Sequence, residues 1–151
     1  MDKSNGIESI LWSIAFPGFG QILNGHFLKG ALFMAAELIV NTRSNLNSVI
    51  ISSFYWDIPS AVSQTNYQWL MFYPCIYAFA AWDAYKNSSG YKQPFTFMPF
   101  VLAAFLGTIG VIYSPTASIG GIPLGPVWLP ILCILLGISV GSFVMKKAHL
   151  Q

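Results

Sequence analysis

Charge is what this sequence lacks most. Only 8% of its 151 residues are charged: five acidic side chains and seven basic ones. An ordinary soluble domain carries about 25%. So few charges cannot cover the outside of a water-facing globule, so lipid is expected to replace water over most of the surface. The net charge of +2 is small and the positives are scattered, which excludes nucleic acid as a partner. Cysteine is almost absent as well. Cys75 and Cys133 each sit within an apolar run, which gives neither a disulfide framework nor a zinc spacing, and both read as buried or lipid-facing thiols. His26 stands alone in a turn with no second ligand at metal spacing, and His149 is a tail residue. No metal and no cofactor is expected. A nucleophile elbow, a phosphate loop, a dinucleotide fingerprint and a zinc-protease helix are all missing, and Gly18-x-Gly20 is too short a match for a phosphate loop. The chain is therefore read as a non-enzyme. No cleavage site follows the first apolar stretch and no lipidation box stands at the C-terminus, so neither a leader nor a lipid anchor is expected.

Hydrophobic residues make up 55% of the chain. They fall into five segments: Ile7 to Leu23, His26 to Thr42, Tyr67 to Tyr85, Phe97 to Tyr113 and Val127 to Met145. A helix crosses a ~30 Å hydrocarbon core with about 20 residues. The last three segments reach or approach that length. The second is short, and the first is both short and broken by Pro17-Gly18-Phe19-Gly20. Backbone groups in lipid must be satisfied internally, so the broken segment has to be sheltered by other helices or lie at the interface. The expected fold is all-α: a polytopic integral membrane protein with four or five transmembrane helices. It forms one membrane domain, 1–151, with a helical hairpin over 7–42, an interfacial segment over 44–66 and three helices over 67–147. In 44–66, Leu46, Val49, Ile50 and Phe54 recur at helical spacing with polar residues between them, the pattern of a helix lying on a bilayer.

The basic residues orient this arrangement. If all five segments cross, one side holds Lys29, Lys86, Lys92, Lys146 and Lys147, and the other holds Lys3 and Arg43. If the first segment does not cross, Lys3 joins the majority. Positive residues stay cytoplasmic, so the C-terminus is expected inside under both arrangements. The second sharpens the bias and is preferred. Asn87-Ser88-Ser89 fits a glycosylation triplet, but it falls on the cytoplasmic side and is discounted. The uncharged, Gly- and Pro-rich stretch Ser114 to Pro126 fits an outside loop. Tyr67, Trp69, Tyr113 and Trp128 suit the outer boundary, and Trp82 and Tyr85 the inner one.

Lipid tails are as apolar as Leu, so helices in a bilayer associate through small residues that let backbones approach. The fourth segment carries Ala103-x-x-x-Gly107 and Gly110, and the fifth carries Gly137-x-x-x-Gly141. These faces predict an antiparallel pair. An ionisable group inside a membrane costs about 2.5 to 3.5 kcal/mol or more, so each one needs a reason. Glu37 lies in the middle of the second segment. It reads either as a carboxyl pinning two helices, with Gln21, Asn24 or a tyrosine as partner, or as a proton- or cation-handling group. Asp83, near the inner end of the third segment, is matched in depth by Lys29; an interhelical pair competes with an internal Asp83–Lys86 contact.

Phe16-Pro17-Gly18-Phe19-Gly20-Gln21, followed by Asn24-Gly25 and Lys29-Gly30, resembles the helical hairpin of small bacterial membrane proteins related to the TM2-domain group. The resemblance covers about residues 9 to 42. It implies a hairpin in a bacterial cell membrane and no particular reaction. The motif also has a physical reading. Pro17 ends one hydrogen-bonded run, Gly18 and Gly20 allow close contact, and Gly25 suits a positive φ. Gln21 and Asn24 are expected to satisfy the backbone groups that the break frees. The expected role is a non-enzymatic accessory or scaffold subunit acting through helix packing. Its partners are the lipid bilayer and other membrane proteins or further copies of itself. The alternative is a small transporter or channel-like oligomer using Glu37.

Overall fold

The computed structural model describes residues 5–89 and 95–148. Lys3, Lys92 and His149 lie outside the described residues. Among the described residues the secondary structure is helical apart from one hairpin of two two-residue strands: α1 (Gly6–Ala15), α2 (Phe19–Leu23), α3 (Phe27–Ser44), α4 (Leu46–Phe54), α5 (Ile58–Gln64), α6 (Tyr67–Leu70), α7 (Tyr73–Lys86), α8 (Met98–Tyr113), β1 (Ser118–Ile119), β2 (Ile122–Pro123) and α9 (Gly125–Ala148).

The first apolar segment is not one helix. Asn5 caps α1 by accepting from the Ile7 amide, and the helix stops at Phe16, one residue before Pro17. Gly18 then takes φ 111°, in the left-handed region that a side chain resists, and α2 starts back. The return is close. Ser9 on α1 lies within hydrogen-bond reach of Asn24 at the far end of α2, with Asn24 Nδ2 donating to Ser9 Oγ at 3.3 Å. The first segment therefore enters the bundle and leaves at the end where it began. A second reversal at Asn24-Gly25, with Gly25 at φ 81°, starts α3.

From there the chain alternates between two ends of a bundle. At the first end lie the start of α1, the start of α3, the end of α7, the start of α8 and the end of α9. Gly6 faces the Tyr85 ring, Trp82 meets Phe97 at 6.2 Å, and Gly141 faces Met98 and Pro99. At the second end, Asn66 N–H donates to Ser44 O at 3.2 Å and Trp128 Nε1 donates to Ser53 O at 3.1 Å. The segment 44–66, expected to hold a single interfacial helix, forms two, α4 and α5. Asp57 caps the second by accepting from the Ser60 amide, and Pro59 stands in its first turn. Val49 and Ala61 bury against Val127 of α9. This segment is thus docked on the bundle.

The third apolar segment, expected to run unbroken from Tyr67 to Tyr85, is interrupted at Met71–Phe72. Pro74 explains the break: it has no N–H for the Leu70 carbonyl, and its ring crowds that carbonyl. Within the stretch 114–126, Gly120 and Gly121 take φ 59° and 81° and turn β1 back onto β2. Among the described residues one helix, α9, is long and apolar enough to cross a membrane, and only 22% of its apolar window is buried inside the protein. α1 and α8 are apolar but shorter.

Candidate functional site

The last turn of α7 is where the motif residues of the N-terminal hairpin converge. The final carbonyls of a helix lack intrahelical donors, and that end carries the negative pole of the helix dipole. Three side chains of the α2–α3 hairpin reach this end, Gln21 to a carbonyl one turn earlier and to Asp83, Asn24 to a carbonyl of the last turn and Lys29 to Asp83. Gln21, fully buried, donates from Nε2 to Ala80 O at 2.7 Å and to Asp83 Oδ2 at 3.2 Å. Asn24 donates from Nδ2 to Ala84 O at 2.8 Å. Lys29 Nζ lies 2.7 Å from Asp83 Oδ1, which makes the ion pair interhelical. Asn87 closes the turn by donating to Asp83 O at 2.6 Å. Asp83 would be unfavourable at a helix C-terminus on its own, and the cation and the amides around it offset that cost.

This corrects one expectation. Gln21 and Asn24 do not serve the Pro17 break. The turn there satisfies itself, with Phe19 N–H donating to Phe16 O and Ile22 N–H to Gly18 O. The amides instead reach across to α7. Gly20 permits the approach, since a Cβ there would lie 2.7 Å from Ala84 Cβ of α7, and Gly30 lets α2 close on α3. A Cβ on Gly20 would run into Ser9 O and Ser13 Oγ, and one on Gly30 would lie 2.6 Å from Ile22 Cγ1. The Gly18 turn is pressed against the Gly30 carbonyl and the Met34 side chain.

Glu37 is buried in the middle of α3 at 3% exposure. Its Oε1 accepts from Asn41 Nδ2 at 3.2 Å and from Tyr73 OH at 3.3 Å. Tyr77 OH stands 3.2 Å from Tyr73 OH, so Glu37 and two tyrosines of α7 form one chain of polar atoms. Glu37 Oε2 is buried with no hydrogen-bond partner. Of the partners considered for Glu37, a tyrosine holds the place, while Gln21 and Asn24 are engaged elsewhere.

On the opposite side, α8 and α9 run antiparallel with backbone against backbone. A Cβ on Gly137 would lie 2.7 Å from Ala103 Cα, and one on Gly141 would lie 2.5 Å from Pro99 Cα. Gly107 faces Ile134 and also Pro74 of α7, so it joins three helices. Gly110 lies against Pro130 and Cys133.

Sequence reasoning offered a tyrosine for Glu37 without saying which, and missed Asn41 as a partner and Tyr77 as the next member of the chain. Both were legible: Asn41 follows Glu37 at i+4, and Tyr77 follows Tyr73 at the same spacing. The Ala80 and Ala84 carbonyls had no signal, since a backbone acceptor leaves no mark on residue type. Among the described residues no group of three His, Cys, Asp or Glu side chains gathers as metal ligands. No family model, curated protein or solved structure matches the chain.

Proposed function

We propose that the chain is a multi-pass integral membrane protein that acts as a non-enzymatic scaffold or accessory subunit through its helix faces. One observation carries this reading: the large apolar side chains face outward. The fully buried side chains include the polar Gln21, Ser9, Ser13, Ser44 and Ser53 along with Val49, Val111 and Pro17. Meanwhile Leu28, Leu32, Phe105, Leu136 and Phe143 stand exposed. In water this would leave large apolar patches bare, whereas in lipid the same surface is matched to its solvent. The membrane-crossing elements are then α3, α6–α7, α8 and α9, and α1–α2 is a re-entrant hairpin that dips in and returns. Among the described basic residues, Lys29, Lys86, Lys146 and Lys147 belong to one end of the bundle and Arg43 to the other. The positive-inside bias makes the first end cytoplasmic. The hairpin with the Gln21, Asn24 and Lys29 motif supports a likeness to the TM2-related bacterial proteins. The working parts of a scaffold are its exposed apolar helix faces, open to lipid and to other membrane proteins.

Alkaline carbonate extraction of membranes tests the first half. The chain is expected to stay in the pellet and to need detergent for purification; a monodisperse protein in plain buffer would end the reading. Affinity capture from native membranes, read by mass spectrometry, tests the second half, with a stoichiometric membrane partner as the expected result.

A second reading rests on the unpaired Glu37 Oε2 beside Tyr73 and Tyr77. A buried carboxyl with one free oxygen is the kind of group that proton- or cation-coupled transporters use. Ion- or proton-dependent flux in liposomes, abolished by Glu37→Gln, would establish it in place of the scaffold role.

A further inference from the structure

Bounded by α1, α4, α6–α7, α8 and α9 is a cavity of about 580 Å³. Its wall is hydrocarbon, with Ile10 and Ile14 from α1, Ala78 from α7, Ala103 from α8, and Ile134 and Ile138 from α9. The hydroxyl-bearing residues on it are Tyr73 and Tyr77, both already joined to the Glu37 chain. Protein interiors pack to crystal density and leave few voids larger than a water molecule. Water does not suit this one, because a buried water needs two to four polar partners. A volume of this size falls within the range of small-molecule sites.

The shape narrows the occupant. Along α9 the wall runs from Pro126 to Ile138, about 18 Å at 1.5 Å per residue. That is a little over half of a ~30 Å hydrocarbon core, about the depth of one leaflet. The gap has a structural origin. α1 has ten residues and turns back at Pro17–Gly18, while α7, α8 and α9 run on past it. The cavity continues beyond Ile14 near the α1 tip to Leu46, Ile50 and Val127 at the second end of the bundle.

We propose that this cavity is a binding site for one acyl chain of a bilayer phospholipid, which stands where a full-length first helix would otherwise pack. The proposal rests on the membrane reading above. The match is one of polarity and length: an apolar, partly open cavity of about single-leaflet depth.

The test uses the full chain in phosphatidylcholine vesicles doped with a phospholipid carrying a mid-chain diazirine, irradiated and mapped by mass spectrometry. Adducts are expected on Tyr77, Ala78 and Ile134 in the cavity as well as on the outward-facing Leu132 and Leu136. Ala78→Phe fills the cavity from α7, and Ile14→Trp fills it from the exposed α1. Each should cut the cavity adducts roughly tenfold, about the worth of two buried methylenes of contact, and leave Leu132 and Leu136 labelled. Adducts confined to Leu132 and Leu136 in the wild-type chain would overturn the site and keep the membrane reading. So would cavity labelling unchanged in both variants. Release of the unlabelled chain by alkaline carbonate would instead sink the membrane reading itself.

Discussion

Where α2 and the start of α3 meet α7, the contact is made by side-chain amides and an ion pair; where α8 meets α9, glycine lets backbone rest on backbone. The first interface is directional. Gln21, Asn24 and Lys29 each aim a donor at a particular acceptor near the end of α7. A slide of one residue along α7 would separate every donor from its acceptor. The second interface works by proximity, through dispersion between surfaces with nothing projecting between them. The glycine seam therefore supplies adhesion between neighbours in sequence, and the polar cluster supplies register between elements some sixty residues apart, the separations being 59 for Gln21–Ala80 and 60 for Asn24–Ala84.

The contrast can be broken most severely on the glycine side. Gly137→Leu combined with Gly141→Leu would drive side chains into the Leu102–Ala103 and Met98–Pro99 backbone. At about 1 to 3 kcal/mol per overpacked site, the pair should cost about 2 to 6 kcal/mol. Thermal unfolding in detergent would read this, and an unchanged midpoint would mean that the seam is not what joins α8 to α9. Next comes Gln21→Ala, which strips a donor from Ala80 O and Asp83 Oδ2 in a fully buried setting. The expected loss is about 1 to 3 kcal/mol, measured the same way. A loss below the scatter of surface substitutions would remove the register role. The smallest effect should come from the ion pair, since half of the Lys29 side chain is exposed, at 49%. A double-mutant cycle of Lys29→Ala with Asp83→Ala should return a coupling of about 0.5 to 1 kcal/mol, shrinking in high salt. Strict additivity would show that the two charges do not act on one another.

Composition made the all-helical class and the apolar segments legible, because period and charge scarcity are properties of residue type. Ala103, Gly107, Gly137 and Gly141 were legible for the same reason: a small residue at four-residue spacing marks a helix face wherever the partner lies. The break at Met71–Phe72 was also written in the sequence, in Pro74, but an unbroken hydropathy run hid it. The destination of Gln21 and Asn24 was not written. Nearby carbonyls freed by the break and distant carbonyls on another helix are equally good acceptors on paper, and the choice between them depends on how α1, α2 and α7 stack. The cavity was out of reach for a similar reason. It is defined by where α1 stops relative to three longer helices, which no local window records.

One consequence of the long separation between the hairpin and its acceptors concerns the order of events on the ribosome. Chains grow at about 5 to 20 residues per second, so Gln21 and Asn24 emerge some 3 to 12 seconds before the carbonyls they will bind. Through that interval Gln21 and Asn24 lack their acceptors on α7. Either transient contacts satisfy them, or the hairpin stays at a wet boundary until α7 arrives. The last turn of α7 then acts as a latch that closes late in synthesis, and slowing translation between residues 30 and 80 should lengthen the window in which the young chain is open to quality-control proteases.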